Sequence, residues 1–209
     1  MLPKNKIPGK SVERLSKYRR YLLSLIKTNK HYVFSHEIAT SLNITSVQVR
    51  RDLMHIGYNG SNNKGYDVRE LIDTIGLIID DTSEHNIAII GVGNLGRALI
   101  SYLWGKRSNL NIVAAFDNDP EKIDRLISGV NCYHVSKLEE IIKKFNIKIA
   151  IISTTAESAE EIAKTVVIAG VTAILNYTPT PLKVSSNIFV EEYDIITSLE
   201  KVAYFAKQS

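Results

Sequence analysis

One segment constrains this chain more than any other: Ile87-Ala88-Ile89-Ile90 running into Gly91-Val92-Gly93-Asn94-Leu95-Gly96. A short apolar run of the kind buried in a parallel sheet meets Gly-x-Gly-x-x-Gly, and a helical stretch, Arg97 to Trp104, follows. A second apolar strand, Ile112-Val113-Ala114-Ala115-Phe116, ends at Asp117, 21 residues beyond Gly96. In that setting the glycines predict a βαβ dinucleotide-binding unit. Gly91 permits the tight turn, Gly93 lets backbone amides approach a pyrophosphate, and Gly96 allows close helix–strand packing, with Val92, Asn94 and Leu95 completing the loop. A carboxylate at Asp117 accepts bonds from adenine ribose hydroxyls and repels a 2′-phosphate. The expected cofactor is therefore NAD(H) rather than NADP(H).

More strands alternate with helices downstream: strands over 129–133, 147–153, 171–176 and 188–191, and helices about 137–145 and 157–169. The pattern predicts an α/β, doubly wound parallel Rossmann sheet. The chain then leaves the sheet pattern in an apolar-striped helix, Asp194 to Lys207, with Ile195, Leu199, Val202 and Phe205 on one face. The Rossmann piece spans only about 110 residues, which leaves no room for a substrate domain. His85 and His134, near predicted strand starts, read as structural. The dinucleotide is expected to act as a signal, without catalysis. The rival reading is an NAD-dependent oxidoreductase fused to a basic module.

That basic module is the N-terminal third. Residues 1–69 hold 13 Lys and Arg against four acids, while residues 70–209 hold 13 against 18, so the net charge of +4 conceals a strongly basic beginning. A nucleic-acid contact made by one domain is expected. From Ser11 to about Lys27, Val12, Leu15, Leu22, Leu23 and Ile26 recur at helical spacing. Ser35 is expected to cap a short helix, and Asn43-Ile44 to make a turn. Thr45-Ser46-Val47-Gln48 reads as a capping box, the Thr45 hydroxyl accepting from the Gln48 N–H and the Gln48 side chain reaching back. Val49, Leu53 and Ile56 then form the buried stripe of a third helix, which leaves Ser46, Gln48, Arg51 and His55 outside and Arg50 near the boundary.

Two short helices joined by a tight turn, the second presenting Ser, Gln and Arg, make a helix-turn-helix. Arg bonds guanine O6 and N7 in pairs, and Gln does the same with adenine. A small helical bundle with a charged face is the alternative. Residues 57–66, rich in Gly and Asn, read as a hairpin wing with Lys64 as its one cation. Val68 to Ile79 gives one more striped helix, and residues 80–84 a polar linker. The expected organisation is a winged-helix DNA-binding domain (1–80), a Rossmann domain (81–192) and a C-terminal helix (193–209).

Composition excludes other classes. No run of 18 apolar residues exists and Met1 to Lys6 carries no apolar core, so neither a membrane span nor a signal peptide is legible and a cytoplasmic protein is expected. Cys132, the single cysteine, makes no internal disulfide, and the five scattered histidines suggest no metal site.

Taken together, these segments resemble the Rex family of redox-sensing transcriptional repressors. The resemblance rests on Ile7-Pro8 with Arg14-Leu15 and Tyr18-Arg19-Arg20, on Gln48 to Leu53, on Gly91 to Gly96, and on Phe116-Asp117-Asn118-Asp119-Pro120. Ala173 to Tyr177, and Tyr193-Asp194 before Leu199-Glu200, extend it over nearly the whole chain. It implies a homodimer on a palindromic operator that lets go when NADH occupies both Rossmann sites, with NAD+ competing. Asn118 joins Asp117 among the expected cofactor contacts. It also implies a C-terminal helix exchanged between subunits, and a polar relay of Arg20, Tyr102 and Asp194; by spacing alone Arg20 reads as a phosphate contact. Two departures stand out. The wing holds Asn62-Asn63 where the family usually carries Arg-Gly, so the operator preference is open. Ser153-Thr154-Thr155-Ala156 stands where the family usually has a proline beside the nicotinamide, which places Thr154 and Thr155 at that ring. A Rossmann repressor sensing another nucleotide is the third reading.

Overall fold

The computed structural model describes residues 7–61, 64–80, 84–103, 105 and 109–207. The chain divides into two compact units, 1–82 and 83–209.

The first unit is built from α1 (Gly9–Ile26), β1 (Tyr32–Val33), α2 (Ser35–Leu42), α3 (Ser46–His55), β2 (Tyr66–Asp67) and α4 (Val68–Ile79). Helical periodicity explains its core: Leu15, Tyr18 and Leu22 of α1 meet Ile38 of α2, Val49 and Leu53 of α3 and Leu71 and Ile75 of α4, all fully buried. Val12 and Leu23, expected in the α1 stripe, are exposed instead, and Arg19 is buried beside Tyr18. The Arg19 Nη1 donates to Asp80 Oδ2 at 2.5 Å. Ser35 opens α2 rather than capping it; the Glu37 carboxylate accepts from the Phe34 N–H at 2.8 Å. Asn43, at φ +51°, closes α2 in the left-handed conformation that Asn tolerates, and Thr45 Oγ1 accepts from the Gln48 N–H at 3.1 Å to open α3. Of the hairpin expected over 57–66 the described residues show a single antiparallel bridge, Ser61 and Gly65 exchanging two backbone bonds of 2.8 Å, while β2 pairs antiparallel with β1, which precedes α2. Asn62 and Asn63 lie outside the described residues.

The second unit contains β3 (His85–Ile90), α5 (Asn94–Leu103), β4 (Leu110–Asp117), β5 (Leu126–Ile127), β6 (Val130–His134), α6 (Leu138–Lys144), β7 (Ile149–Ile152), α7 (Ala156–Ala169), β8 (Ala173–Asn176), β9 (Phe189–Glu192) and α8 (Ile195–Ala206). Its sheet runs β5-β6-β4-β3-β7-β8-β9, every neighbour parallel except the short β5. Without β5 this is the 3-2-1-4-5-6 order of dinucleotide-binding sheets. The period of two sends Ala88 and Ile90 to a core with α6 and α7, and Ile87 and Ile89 to another with Val92 and Ile100 of the α5 side. β5 was not foreseen, because two residues carry no alternation to read. His134 ends β6 rather than beginning a strand, and its Nδ1 accepts from the Ser136 N–H, a structural role. No residue of α8 is buried. No helix among the described residues is long and apolar enough to cross a membrane, and no group among them is suited to hold a metal ion.

Candidate functional site

The strand order reverses between β3 and β7, and a cleft of about 500 Å³ opens there, lined by Gly91, Gly93, Asp117, Asn118, Lys122 and Thr154 among others. Gly91 has φ +92°, and a Cβ on it would stand 2.5 Å from the Ser153 carbonyl oxygen. The Ser153 hydroxyl donates back to the Gly91 carbonyl at 2.9 Å, so this crossing is too tight for any side chain. A Cβ on Gly96 would lie 2.1 Å from the Gly91 carbonyl oxygen, which is the close packing of α5 under the loop. Over Gly93 nothing lies within 4 Å of that position, and α5 begins one residue later. The backbone therefore opens onto the cleft where a helix N-terminus favours an anion, and the site fits the phosphates of a dinucleotide. Val92 turns its side chain into the core, whereas Asn94 and Leu95 lie on the exposed side of α5.

Asp117, at the end of β4, is more engaged than the sequence suggested. Its Oδ2 accepts from the Val92 N–H at 2.8 Å and from Lys122 Nζ at 3.1 Å, and its Oδ1 accepts from the Asp119 N–H at 3.0 Å. Burial pushes this carboxyl up, but the Asp119 and Val92 amides and the Lys122 ammonium outweigh it and hold it below the usual range. Lys122 also reaches Asp119 Oδ2 at 3.2 Å, so this ammonium is shared between two carboxylates, of which Asp117 lines the cleft. Sequence reasoning missed Lys122; its signal was a lysine five residues past the strand-end acid. Thr154 and Thr155 sit at the start of α7, with Thr155 Oγ1 3.3 Å from the Ser158 hydroxyl.

On the first unit, α3 presents Val47 (64% exposed), Arg50, Arg51 and Met54 (67% exposed) to solvent. Arg50 Nη1 donates to Ser35 Oγ at 3.1 Å. Ser46 and Gln48 are half-buried, which corrects the expectation that both stand outside. The Gln48 side chain does not reach back to Thr45; its Nε2 donates to Asp52 Oδ1 at 3.0 Å. Asp52 is buried and binds α3 to α1 through Ser11, Arg14 and Tyr18. Its position one residue before Leu53, on the stripe, opposite an Arg14/Tyr18 pair four apart, was the legible sign. Lys64 is exposed on the hairpin, its Nζ 6.0 Å from the Tyr32 ring. Of the remaining residues, Arg20 is exposed on α1, Tyr102 is 68% exposed on α5, and Asp194 caps α8, accepting from the Ile196 and Thr197 N–H groups at 2.8 and 3.1 Å.

Residues 6–53 match the family described as putative DNA-binding protein N-terminus, and residues 82–180 the CoA binding domain family. A helical DNA-binding region joined to a nucleotide-type parallel sheet defines a class, that of transcription regulators carrying their own ligand-binding domain. The chain belongs to the Rex family of redox-sensing transcriptional repressors. It is 38% identical over 199 residues to the repressor Rex of Carboxydothermus hydrogenoformans, covering 95% of this chain and 96% of that one. It is 34% identical over 200 residues to that of Listeria monocytogenes, covering 96% and 93%. Among solved structures, RSP, a Rex-family repressor, in complex with β-NAD+ and operator DNA superposes with a TM-score of 0.90 at 31% identity, covering 98% of this chain and 94% of that one. Its β-NADH complex gives 0.86 at 31% identity, covering 98% and 96%. The chain is a transcriptional repressor and not an enzyme.

Proposed function

We propose that this repressor binds a palindromic operator as a homodimer through α3 and the hairpin, and releases it when NADH enters the Gly91–Gly96 cleft. The observation that carries this reading is the cleft at the strand-order reversal, ending in Asp117, in the same chain as a basic helical reader. The relative RSP has been solved with β-NADH, and with β-NAD+ and operator DNA. The CoA binding domain match raises a second ligand, yet CoA bears a phosphate on its ribose, and the Asp117 carboxylate at that end of the cleft opposes it as it opposes a 2′-phosphate. Gly91 to Gly96, with the α5 N-terminus, hold the pyrophosphate, Asp117 and Asn118 meet the adenosine ribose, and Thr154 and Thr155 lie towards the nicotinamide.

The exchanged C-terminal helix belongs to this reading. Ile195, Leu199 and Val202 recur at i, i+4 and i+7 on α8 and stay exposed in the single chain, an apolar stripe that a second copy covers. Arg20, Tyr102 and Asp194 then form the relay, with Arg20 as a phosphate contact the alternative. Ser46, Gln48, Arg50, Arg51 and Lys64 make the DNA contact. The test is operator binding by fluorescence anisotropy during titration with NADH, NAD+ and CoA. Release by NADH at concentrations where NAD+ and CoA leave the complex intact supports the reading, and equal release by all three overturns it.

A further inference from the structure

The most heavily bonded buried polar group lies outside the cleft, beneath α3. Asp52 is fully buried. Its Oδ1 accepts from Ser11 Oγ at 3.1 Å, Arg14 Nη2 at 2.8 Å and Gln48 Nε2 at 3.0 Å, and its Oδ2 accepts from Arg14 Nε at 2.6 Å and the Tyr18 hydroxyl at 2.7 Å. A carboxylate offers about four lone-pair sites and, ionised, donates nothing. That chemistry settles which end of the Gln48 amide faces it: only the NH2 end can. Among the described residues Gln48 Oε1 takes no bond and no buried side-chain oxygen or nitrogen lacks a partner, so Oε1 is open to solvent. Gln48 is the third residue of α3, within the N-terminal turn that approaches base edges in a recognition helix.

We propose that Asp52 is a specificity-determining positioning residue. By holding Nε2 it turns Oε1 of Gln48 outward, and position 48 becomes a reader of base-edge amino groups, adenine N6 or cytosine N4. The inference rests on the reading of α3 as the helix that enters the major groove. An untethered glutamine presents either end of its amide and accommodates donors and acceptors alike. A tethered one discriminates, because the guanine edge offers only O6 and N7, both acceptors, to an oxygen that also accepts. Arg14 and Tyr18, one helical turn apart on α1, make the tether rigid by fixing the carboxylate plane.

The experiment uses the full-length protein and the palindromic duplex it selects from a random library. Each adenine of a half-site is replaced in turn by nebularine, which lacks the N6 amino group, and each cytosine by 2-pyrimidinone, which lacks N4. At one position per half-site the parent should bind the analogue at least about fivefold more weakly. Gln48→Met should bring that ratio to one. Asp52→Asn turns an N–H toward Gln48 and should also bring the ratio near one; should that variant not fold, Gln48→Met decides. The proposal is overturned if the parent is indifferent to every analogue, or if the ratio survives Gln48→Met or Asp52→Asn. Failure of the underlying reading looks different: Arg51→Ala would then bind the selected duplex as the parent does, and the proposal would fall with it.

Discussion

Asp117 shows how much a single side chain does at the cleft. It braces the glycine loop through the Val92 N–H and, on the proposed reading, also presents charge to the ribose, so Asp117→Ala would remove two functions at once. Asp117→Asn keeps an acceptor for Val92, gives up the one for the Asp119 N–H, and removes the charge. Like charges 4 Å apart repel by about 1 kcal/mol even in water, and the substitution should therefore narrow the NADPH-to-NADH ratio of dissociation constants by at least about fivefold. An unchanged ratio by isothermal calorimetry would place the 2′ position away from Asp117. Cys132 is the opposite case, a reactive type made inert. It is 1% exposed, and burial first, with Asp117 nearby second, pushes its thiol up to about 11. Labelling by a maleimide at pH 7.5 should be at least about 100-fold slower in the folded protein than in denaturant, since the thiolate is the nucleophile. Comparable rates would show the site opening readily. The glycines and Asp117 were legible because each has a fixed offset from a strand end. Lys122 and the Gln48–Asp52 bond had only a spacing to show for themselves, because which side-chain rotamer closes each contact is decided by the packing around it.

At the scale of elements, the long periodic pieces were legible almost to the residue: α4 spans 68–79 as its stripe predicts, and β3 ends where the glycines begin. Two-residue strands and the half-burial of Ser46 and Gln48 were not, since pairing and packing against α1 decide them. The buried Asp52 predicts how α3 is held. Burial raises its carboxyl, but Arg14, Tyr18 and Ser11 together hold it below the ordinary carboxylate range. A group lowered on folding stabilises fully above its unfolded value, near about 3.9, and that stability is lost as pH falls through the folded value. Asp52→Asn should accordingly flatten the acid-unfolding slope of the first unit below about pH 4, as read by circular dichroism, and Asp52→Ala should cost about 3–5 kcal/mol by stranding Arg14. Equal slopes in parent and Asp52→Asn would mean that the acid transition is set elsewhere. On α8, Asp194→Ala removes a cap worth about 1 kcal/mol, so loss of response in that variant would not by itself implicate a relay. Asp194→Asn retains the capping acceptor and isolates the charge: uncoupling of NADH from operator release in this variant supports the relay, and parental behaviour removes Asp194 from it.

For the molecule as a whole, the proposed switch is a matter of differential affinity. A ligand moves an equilibrium only by as much as it prefers one state, and passing from 99:1 to 1:99 takes about 5.5 kcal/mol. Two cleft sites in a dimer share that, so each must prefer the DNA-incompetent state by about 100-fold. NAD+ and NADH bring the same pyrophosphate and riboses to Gly91 to Gly96 and Asp117, and those contacts cannot supply the difference between them. On the proposed reading it arises at the nicotinamide ring, whose positive charge in NAD+ opposes burial in an apolar setting closed by the partner's C-terminal helix. The stripe of Ile195, Leu199 and Val202 is then both the dimer contact and the lid. Leu199→Asp should weaken the dimer in sedimentation, and operator affinity should fall with it, while the cleft of each separate chain still binds NADH. The two cofactors should converge in affinity for that variant, because the apolar closure that tells them apart is gone. A Leu199→Asp protein that remains dimeric, or a dissociated one that still prefers NADH over NAD+ by the parental factor, would show that the redox discrimination resides within a single chain, at Thr154 and Thr155, and not in the exchanged helix.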